Sequence, residues 1–511
     1  MTERIINTGE WIERWSYIQP EKTAVYSNGI PYSYRALNER INKLTHILLA
    51  KGIRKGDRVA VLLHNCLQYV EIFFAVSKIG GILVPLNWRL AMPELEFIIK
   101  DSRTRSVIFE EEFLESAVKL RDVVAVETCI SCATGPKGKE IDLPDWIEDY
   151  ETLMDNAPAE KIDVPYRTGD NDPHILMYTS GTTGLPKGAV LSHKKTFFNV
   201  LNAGIYFDLT RHDIAIIARP LFHSGGLIVE LAPVLYKGGT VIIQRRFSPE
   251  EILKTVERYR VTILELPATV YNFILHECEI ERYDLSTVKC FYTGGERVST
   301  SLLKAFYEKG IVISQIYGLT EASTLFWLPY DMAHKKMGSV GKPVFHADVR
   351  IVDERGMAVP PGGIGEIIVK GPVVMNGYWE RPDLTKDIIK NSWLHTGDLA
   401  TMDEEGFVYI VDRKKDMFIS GGENVYPAEV EKVLLSHPDI LDAAVIGVED
   451  ERWGEVGKAF IILKPGKRID EGDINSFLNE RLARYKIPKY IEFVDRLPKT
   501  ASGKIRKSLL K

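Results

Sequence analysis

Apolar positions Leu37, Ile41, Leu44, Ile47 and Leu48 recur at helical spacing and predict a helix over Pro31 to Ala50, stopped by Gly52. The run Asp57 to Leu63 has no such period and reads as a buried strand. A helix over Glu71 to Ile79, closed by Gly80-Gly81, and a strand over Ile82 to Leu86 follow. Strands alternating with crossover helices predict a mainly parallel sheet covered on both faces.

The rhythm pauses over Cys129 to Asp172, where Pro136, Pro144, Pro158 and Pro165 predict a long surface excursion. It resumes with strands at Asp213 to Ala218, Thr240 to Gln244, Val261 to Leu266, Lys289 to Thr293 and Ile311 to Ile316. Helices are predicted at Pro249 to Arg258 and Ser299 to Lys309. From about Gly338 short strands separated by Gly and Pro turns predict an antiparallel β module. The charge run 412–416 separates it from a compact α/β pattern ending at strand Tyr490 to Val494. The fold expected is α/β: a large N-terminal domain (1–411) of βα-rich sheets plus a β module, a hinge (412–416), and a small mobile α/β domain (417–511).

With 511 residues there is ample material for more than one domain. A net charge of −5 argues against a general nucleic-acid binder. Five scattered cysteines imply no disulfide framework, and Cys129 and Cys132 lack the second pair a zinc knuckle needs, so they read as reduced thiols in a loop. Met1 to Trp15 is too charged for a signal peptide, and no apolar run reaches the ~18 residues needed to span a bilayer. A cytoplasmic protein is expected; peripheral membrane contact and a homodimer stay open.

The richest stretch chemically is Tyr178 to Gly188. It follows the apolar run Ile175-Leu176-Met177 and precedes Ser192, which opens a predicted helix. It holds Thr179, Ser180, Gly181, Thr182, Thr183, Gly184, Lys187 and Gly188. Glycines turn backbone N–H groups inward, and hydroxyls and a lysine add donors, so the loop suits polyphosphate. It is not a Walker A loop, because Pro186 precedes Lys187 and Gly188 follows it.

This stretch resembles the signature of the adenylate-forming superfamily, which includes acyl-CoA synthetases, luciferases and peptide-synthetase adenylation domains. Four further motifs stand in the family's order: Tyr317 to Glu321, Thr396-Gly397-Asp398, Asp412 to Asp416, and Pro498 to Lys504. On composition alone Glu321 would be an exposed loop carboxylate, Gln315 a polar strand end, Asp398 a turn residue and 498–504 a frayed tail. The resemblance implies other roles. The loop with Lys187 takes the β- and γ-phosphates of ATP. Gly294, Gly295 and Glu296 flank the adenine, Gln315 bonds its edge and Tyr317 stacks on it beside Gly318. Thr320 contacts the α-phosphate and Glu321 helps hold Mg²⁺. Asp398 and Arg413 take the ribose, Lys415 is the hinge, and Lys504 bridges carboxylate and phosphate during adenylation.

On the acyl side, Phe222, His223 and Gly225 match the acyl-pocket motif, with His223 as the gate towards a CoA tunnel lined by the Gly421 loop. Amino-acid-activating members carry an Asp where His223 stands, so an α-ammonium substrate is disfavoured. The resemblance implies an AMP-forming acyl-CoA synthetase that uses ATP, Mg²⁺ and CoA. A medium- to long-chain fatty acid is the expected substrate. The alternatives are an aryl acid of the benzoate, coumarate or succinylbenzoate type, or a free-standing module that loads a carrier protein.

Overall fold

In the computed structural model the structure describes residues 7–123, 126–134, 142–164, 168–179, 185–246, 248–295, 298, 300–413, 418–425, 427–498, 505 and 507–510. The chain forms a large N-terminal α/β domain and a smaller C-terminal one. The first is built from two mainly parallel sheets interleaved with helices. One sheet has eight strands and the other nine.

In the eight-stranded sheet, Arg58–Leu62 lies parallel between Ile82–Pro85 and Ser106–Glu110. Its period of two sends Val59 and Val61 to one face and Ala60 and Leu62 to the other. The first face packs on helices Tyr34–Ala50, Leu67–Lys78 and His193–Tyr206, which also cover Val25, Ala215, Ile217 and Val241 of the nine-stranded sheet. That central position explains why nearly every side of Leu67–Lys78 is apolar and buried. Helices Met92–Ser102 and Leu114–Val123 cover one outer face. Helices Pro249–Tyr259, Ala268–Glu277 and Thr300–Glu308 cover the other.

Local chemistry sets the helix starts. Ser33, Ser192 and Ser248 each accept a hydrogen bond from a first-turn N–H through the side-chain oxygen. Pro31 therefore lies outside its predicted helix, in the strand Ile30–Ser33. Two larger expectations change. The excursion predicted over Cys129 to Asp172 opens inside a sheet strand next to the edge, Thr128–Cys132, and contains a helix, Tyr150–Asn156. Cys129 and Cys132 are buried in that strand rather than held in a loop. Three positions apart, they face opposite cores and cannot share a ligand. The stretch read as a phosphate loop does not run from strand to helix. It joins two antiparallel strands, Pro173–Thr179 and Lys187–Ser192, and the helix follows.

The predicted antiparallel module is present, with Asp348–Val352, Ile364–Lys370, Trp393–Met402 and Val408–Arg413 side by side. Its last strand runs through Arg413, into the charge run expected to be the hinge. Lys415 lies outside the described residues. A separate five-stranded sheet built from Phe418–Ser420, Glu423–Val425, Ile440–Asp450, Gly454–Leu463 and Tyr490–Phe493 carries helices Pro427–Leu435 and Glu471–Asn479.

Candidate active site

A cavity of about 660 Å³ opens where the strands Pro173–Thr179, Cys290–Gly294 and Ile313–Leu319 end. Strand ends are where open α/β sheets leave room for ligands. Thr179, Phe222, His223, Gly225, Gly294, Gly295, Tyr317, Gly318 and Thr320 line it, together with Gly421, Gly422 and Glu423 from the small domain. Residues proposed for nucleotide, acyl group and CoA thus meet in one space.

The hairpin between Ile313–Leu319 and Ser323–Trp327 is tight. A Cβ on Gly318 would come 2.1 Å from the Ser323 carbonyl oxygen, so only glycine fits there. The turn puts the Thr320 hydroxyl 3.5 Å from that of Ser224, at the junction of the nucleotide and acyl motifs. Tyr317 lies on the cavity wall, and its hydroxyl donates to Asp398 Oδ2. Asp398 is buried behind it, in a strand where it pairs in register with Arg413. Glu321 accepts from the Tyr378 hydroxyl at 3.0 Å, and the Lys187 ammonium lies 5.4 Å from the centre of the same tyrosine ring. Lys195, fully buried, donates to the Ser323 hydroxyl; burial pulls its pKa down to about 7, against the pull of Glu321.

Gln315 is not brought into the cavity. It is buried, and its amide nitrogen donates to the Ser339 carbonyl at 2.8 Å. Ser180, Gly181, Thr182, Thr183, Gly184, Glu296, Lys415 and Lys504 lie outside the described residues, as does the side chain of Arg413.

The small domain closes one side. Glu423 Oε2 lies 2.7 Å from His223 Nε2, and its other oxygen accepts from Arg89. Burial alone would raise the Glu423 carboxyl, but His223, Arg89 and Lys486 override it and hold it below the usual carboxylate range. Lys486 crosses the same seam to Glu94 at 2.5 Å and is held within the small domain by Glu429 at 2.7 Å. Trp453 lines the cavity edge-on to Phe273, with ring centres 6.1 Å apart. Sequence reasoning had Glu423 only as part of the Gly421 loop, with no role of its own, and missed Arg89, Lys486 and Trp453. For Arg89 a signal existed: it follows the buried strand Ile82–Pro85, at the ligand-bearing end of the sheet.

Elsewhere on the cavity wall His64 bonds Glu110 at 2.9 Å, and Arg245 pairs with the same carboxylate. Burial would raise Glu110, yet these partners hold it down to about 2, which marks a satisfied ion network. Among the described residues, no helix is long and apolar enough to cross a membrane.

Comparison with known proteins places this architecture in a class of ligases. The AMP-binding enzyme family matches residues 12–379, and the AMP-binding enzyme C-terminal domain matches residues 429–504; the chain belongs to this family. It is similar to a feruloyl-CoA synthase of an Amycolatopsis species, with 42% identity over 98% of this chain and 97% of that protein. It is also similar to an indoleacetate–CoA ligase of Aromatoleum aromaticum, with 36% identity over 98% and 96%. These relatives make it an AMP-forming CoA ligase, an acid–thiol ligase for which ATP and CoA fit as substrates.

A third relative, the o-succinylbenzoate CoA synthetase of Bacillus subtilis, is 33% identical and known in two complexes. A double mutant bound with its product analogue OSB-NCoA superposes with a TM-score of 0.87, covering 98% of each chain. The complex with the acyl-adenylate intermediate superposes with 0.71, covering 100% of this chain and 99% of that one. The whole-chain arrangement here is the nearer to that of the CoA product complex.

Proposed function

We propose that the protein is an aryl-acid CoA ligase that works in two half-reactions. In the first, a carboxylate oxygen of an aromatic acid bonds to the α-phosphorus of ATP and pyrophosphate leaves. In the second, the CoA sulfur bonds to the adenylate carbonyl carbon, the thiol proton is lost and AMP departs. The observation that carries this reading is the placing of Gly421 to Glu423 against His223 in a shared cavity, in a chain whose relatives are named for ferulic, indoleacetic and succinylbenzoic acids. The medium- to long-chain fatty acid expected from sequence finds no support in those relatives, and the aryl alternative replaces it.

The side chains divide the work. The 179–187 loop with Lys187 would hold the leaving phosphates, Thr320 the α-phosphate, and Tyr317 with Asp398 the nucleoside. Mg²⁺ would supply charge neutralisation on the phosphates, with Glu321 as its protein ligand. Among the described residues Glu321 belongs to no cluster of three metal-capable side chains, which suits an ion that arrives on the nucleotide rather than in a protein cage. Lys504 would sit between the two anions during adenylation and leave when the small domain turns about Lys415. The docked arrangement described above belongs to the second half-reaction.

The test is pyrophosphate release from ATP with ferulate-type, indoleacetate-type and benzoate-type acids and with short to long fatty acids, each with and without CoA. Aromatic acids should give release and, with CoA, thioester. A preference for unbranched fatty acids would overturn the aryl reading.

A further inference from the structure

The hairpin that carries Thr320 and Glu321 is held from behind by one face of the helix His193–Tyr206, and no step described above uses that face. Gly318 pairs with Thr324 and Leu319 with Ser323, so residues 320–322 form a short turn that Ser323 closes. Within it the Ala322 N–H donates to the Leu319 carbonyl at 3.0 Å. Ser323 has φ +56°, a left-handed conformation that a residue with a side chain keeps only where its surroundings fix it. The helix supplies the fixing. Lys195 donates from Nζ to the Ser323 hydroxyl. One turn on, Asn199 Oδ1 accepts from the Thr324 N–H at 3.4 Å, and its amide nitrogen donates to the Ile228 carbonyl at 2.8 Å. The Tyr206 hydroxyl lies 3.1 Å from that of Thr324. Positions four and eleven apart share one helix face. Ser323 and Thr324 in turn line the cavity.

A lysine is an unfavourable choice for this place. Lys195 is wholly buried, and among the described residues no carboxylate lies within ion-pair distance of its amine, so its lost hydration is poorly replaced. An unbranched apolar residue of similar length would fill the same space without that loss. What the lysine adds is reach, because four methylenes carry a donor from the helix to the Ser323 hydroxyl. The far side of the turn is fixed separately. The Met375 N–H donates to the Glu321 carbonyl at 2.7 Å, and the Tyr378 hydroxyl donates to the Glu321 carboxylate at 3.0 Å. Without Lys195 the turn would keep those two bonds and lose the one under its closing residue.

We propose that Lys195 is a positioning residue for adenylation: by fixing Ser323 it sets where the turn presents Thr320 to the α-phosphate. This rests on the reading of Thr320 given above. The test measures pyrophosphate release by the full-length enzyme, with ATP and the best-used acid of the panel above, together with the thermal midpoint. Lys195→Met keeps the length of the side chain and removes the donor. Its kcat should fall about 10- to 100-fold, because a small displacement of a group that orients the reactants has an effect of that size. The KM values for acid and ATP should change little, and the thermal midpoint should hold or rise. Ser323→Gly accepts the left-handed backbone, removes the hydroxyl and should lower kcat to a similar degree. The double variant should be no slower than either single one, since both act through one bond. An unchanged kcat in Lys195→Met, a fall in its thermal midpoint alongside raised KM values, or losses that multiply in the double variant would overturn this proposal alone. Failure of the unaltered enzyme to release pyrophosphate with any acid would overturn the adenylation reading beneath it.

Discussion

His223 Nε2 and Glu423 Oε2 stand 2.7 Å apart, and that hydrogen bond joins the acyl motif of the large domain to the glycine loop of the small one. The contact exists only while the small domain is docked as here. Glu423→Gln keeps the shape and removes the charge. Charge-assisted bonds contribute about 1.5–3 kcal/mol, so the CoA-dependent half-reaction is expected to fall roughly 10- to 100-fold. Pyrophosphate release from acid and ATP should change little. Stopped assays of the two halves check this, and an equal loss in both would count against the assignment.

The docked seam also titrates. Glu429 faces Lys486 and Glu94, and burial followed by the Glu94 charge raises its pKa from 4.5 to about 7, against the pull of Lys486. A raised carboxyl binds its proton more tightly docked than free. Its contribution to docking is therefore complete below pH 4.5 and is lost as pH rises through about 7. CoA-dependent turnover relative to pyrophosphate release is expected to decline across that window, and Glu429→Gln should flatten the decline. The ratio measured against pH decides it.

Asp398 takes the Tyr317 hydroxyl and lies opposite Arg413 in the strand pair. Asp398→Asn keeps the size but loses the charged acceptor. The KM for ATP is expected to rise about 10- to 100-fold, with a smaller effect on the KM for the acid. Equal effects on both would place Asp398 in a structural role.

Lys504→Ala is expected to slow adenylation by about 100-fold or more, because a cation at developing phosphoryl charge is worth several kcal/mol. Attack of CoA on a supplied acyl-adenylate should proceed at close to the normal rate. Single-turnover measurement of each step separates the two, and loss of the second would sink the two-state scheme.

Much of the scaffold was legible because its signals are local. Ser192 announces a helix, and the apolar runs at 58–62 and 214–217 announce buried strands. Trp393–Met402 escaped because Gly397 and Asp398 read as a turn. Gly397 has φ +74°, an irregularity carried inside a strand whose register shifts two residues later. Thr128–Cys132 escaped because the prolines after it colour the whole region. The nucleotide motifs were legible as motifs, yet Gln315 is engaged elsewhere by Ser339. Of the seam, the resemblance implied that His223 meets the Gly421 loop, but its ion pairs were not legible. Arg89 meets Glu423 across 334 positions and Lys486 meets Glu94 across 392, and no local pattern carries such a pairing.

The nine-stranded sheet has one consequence for how the protein is made. Val25, near the start of the chain, pairs with Val241 of the strand Thr240–Ile243. At a synthesis rate of about 5–20 residues per second, the hairpin formed by Thr23–Ser27 and Ile30–Ser33 waits on the order of ten to forty seconds for that partner to be made. During that time an unpaired strand edge faces solvent and chaperones. The first hairpin thus has to be kept from wrong pairing before the sheet it belongs to exists.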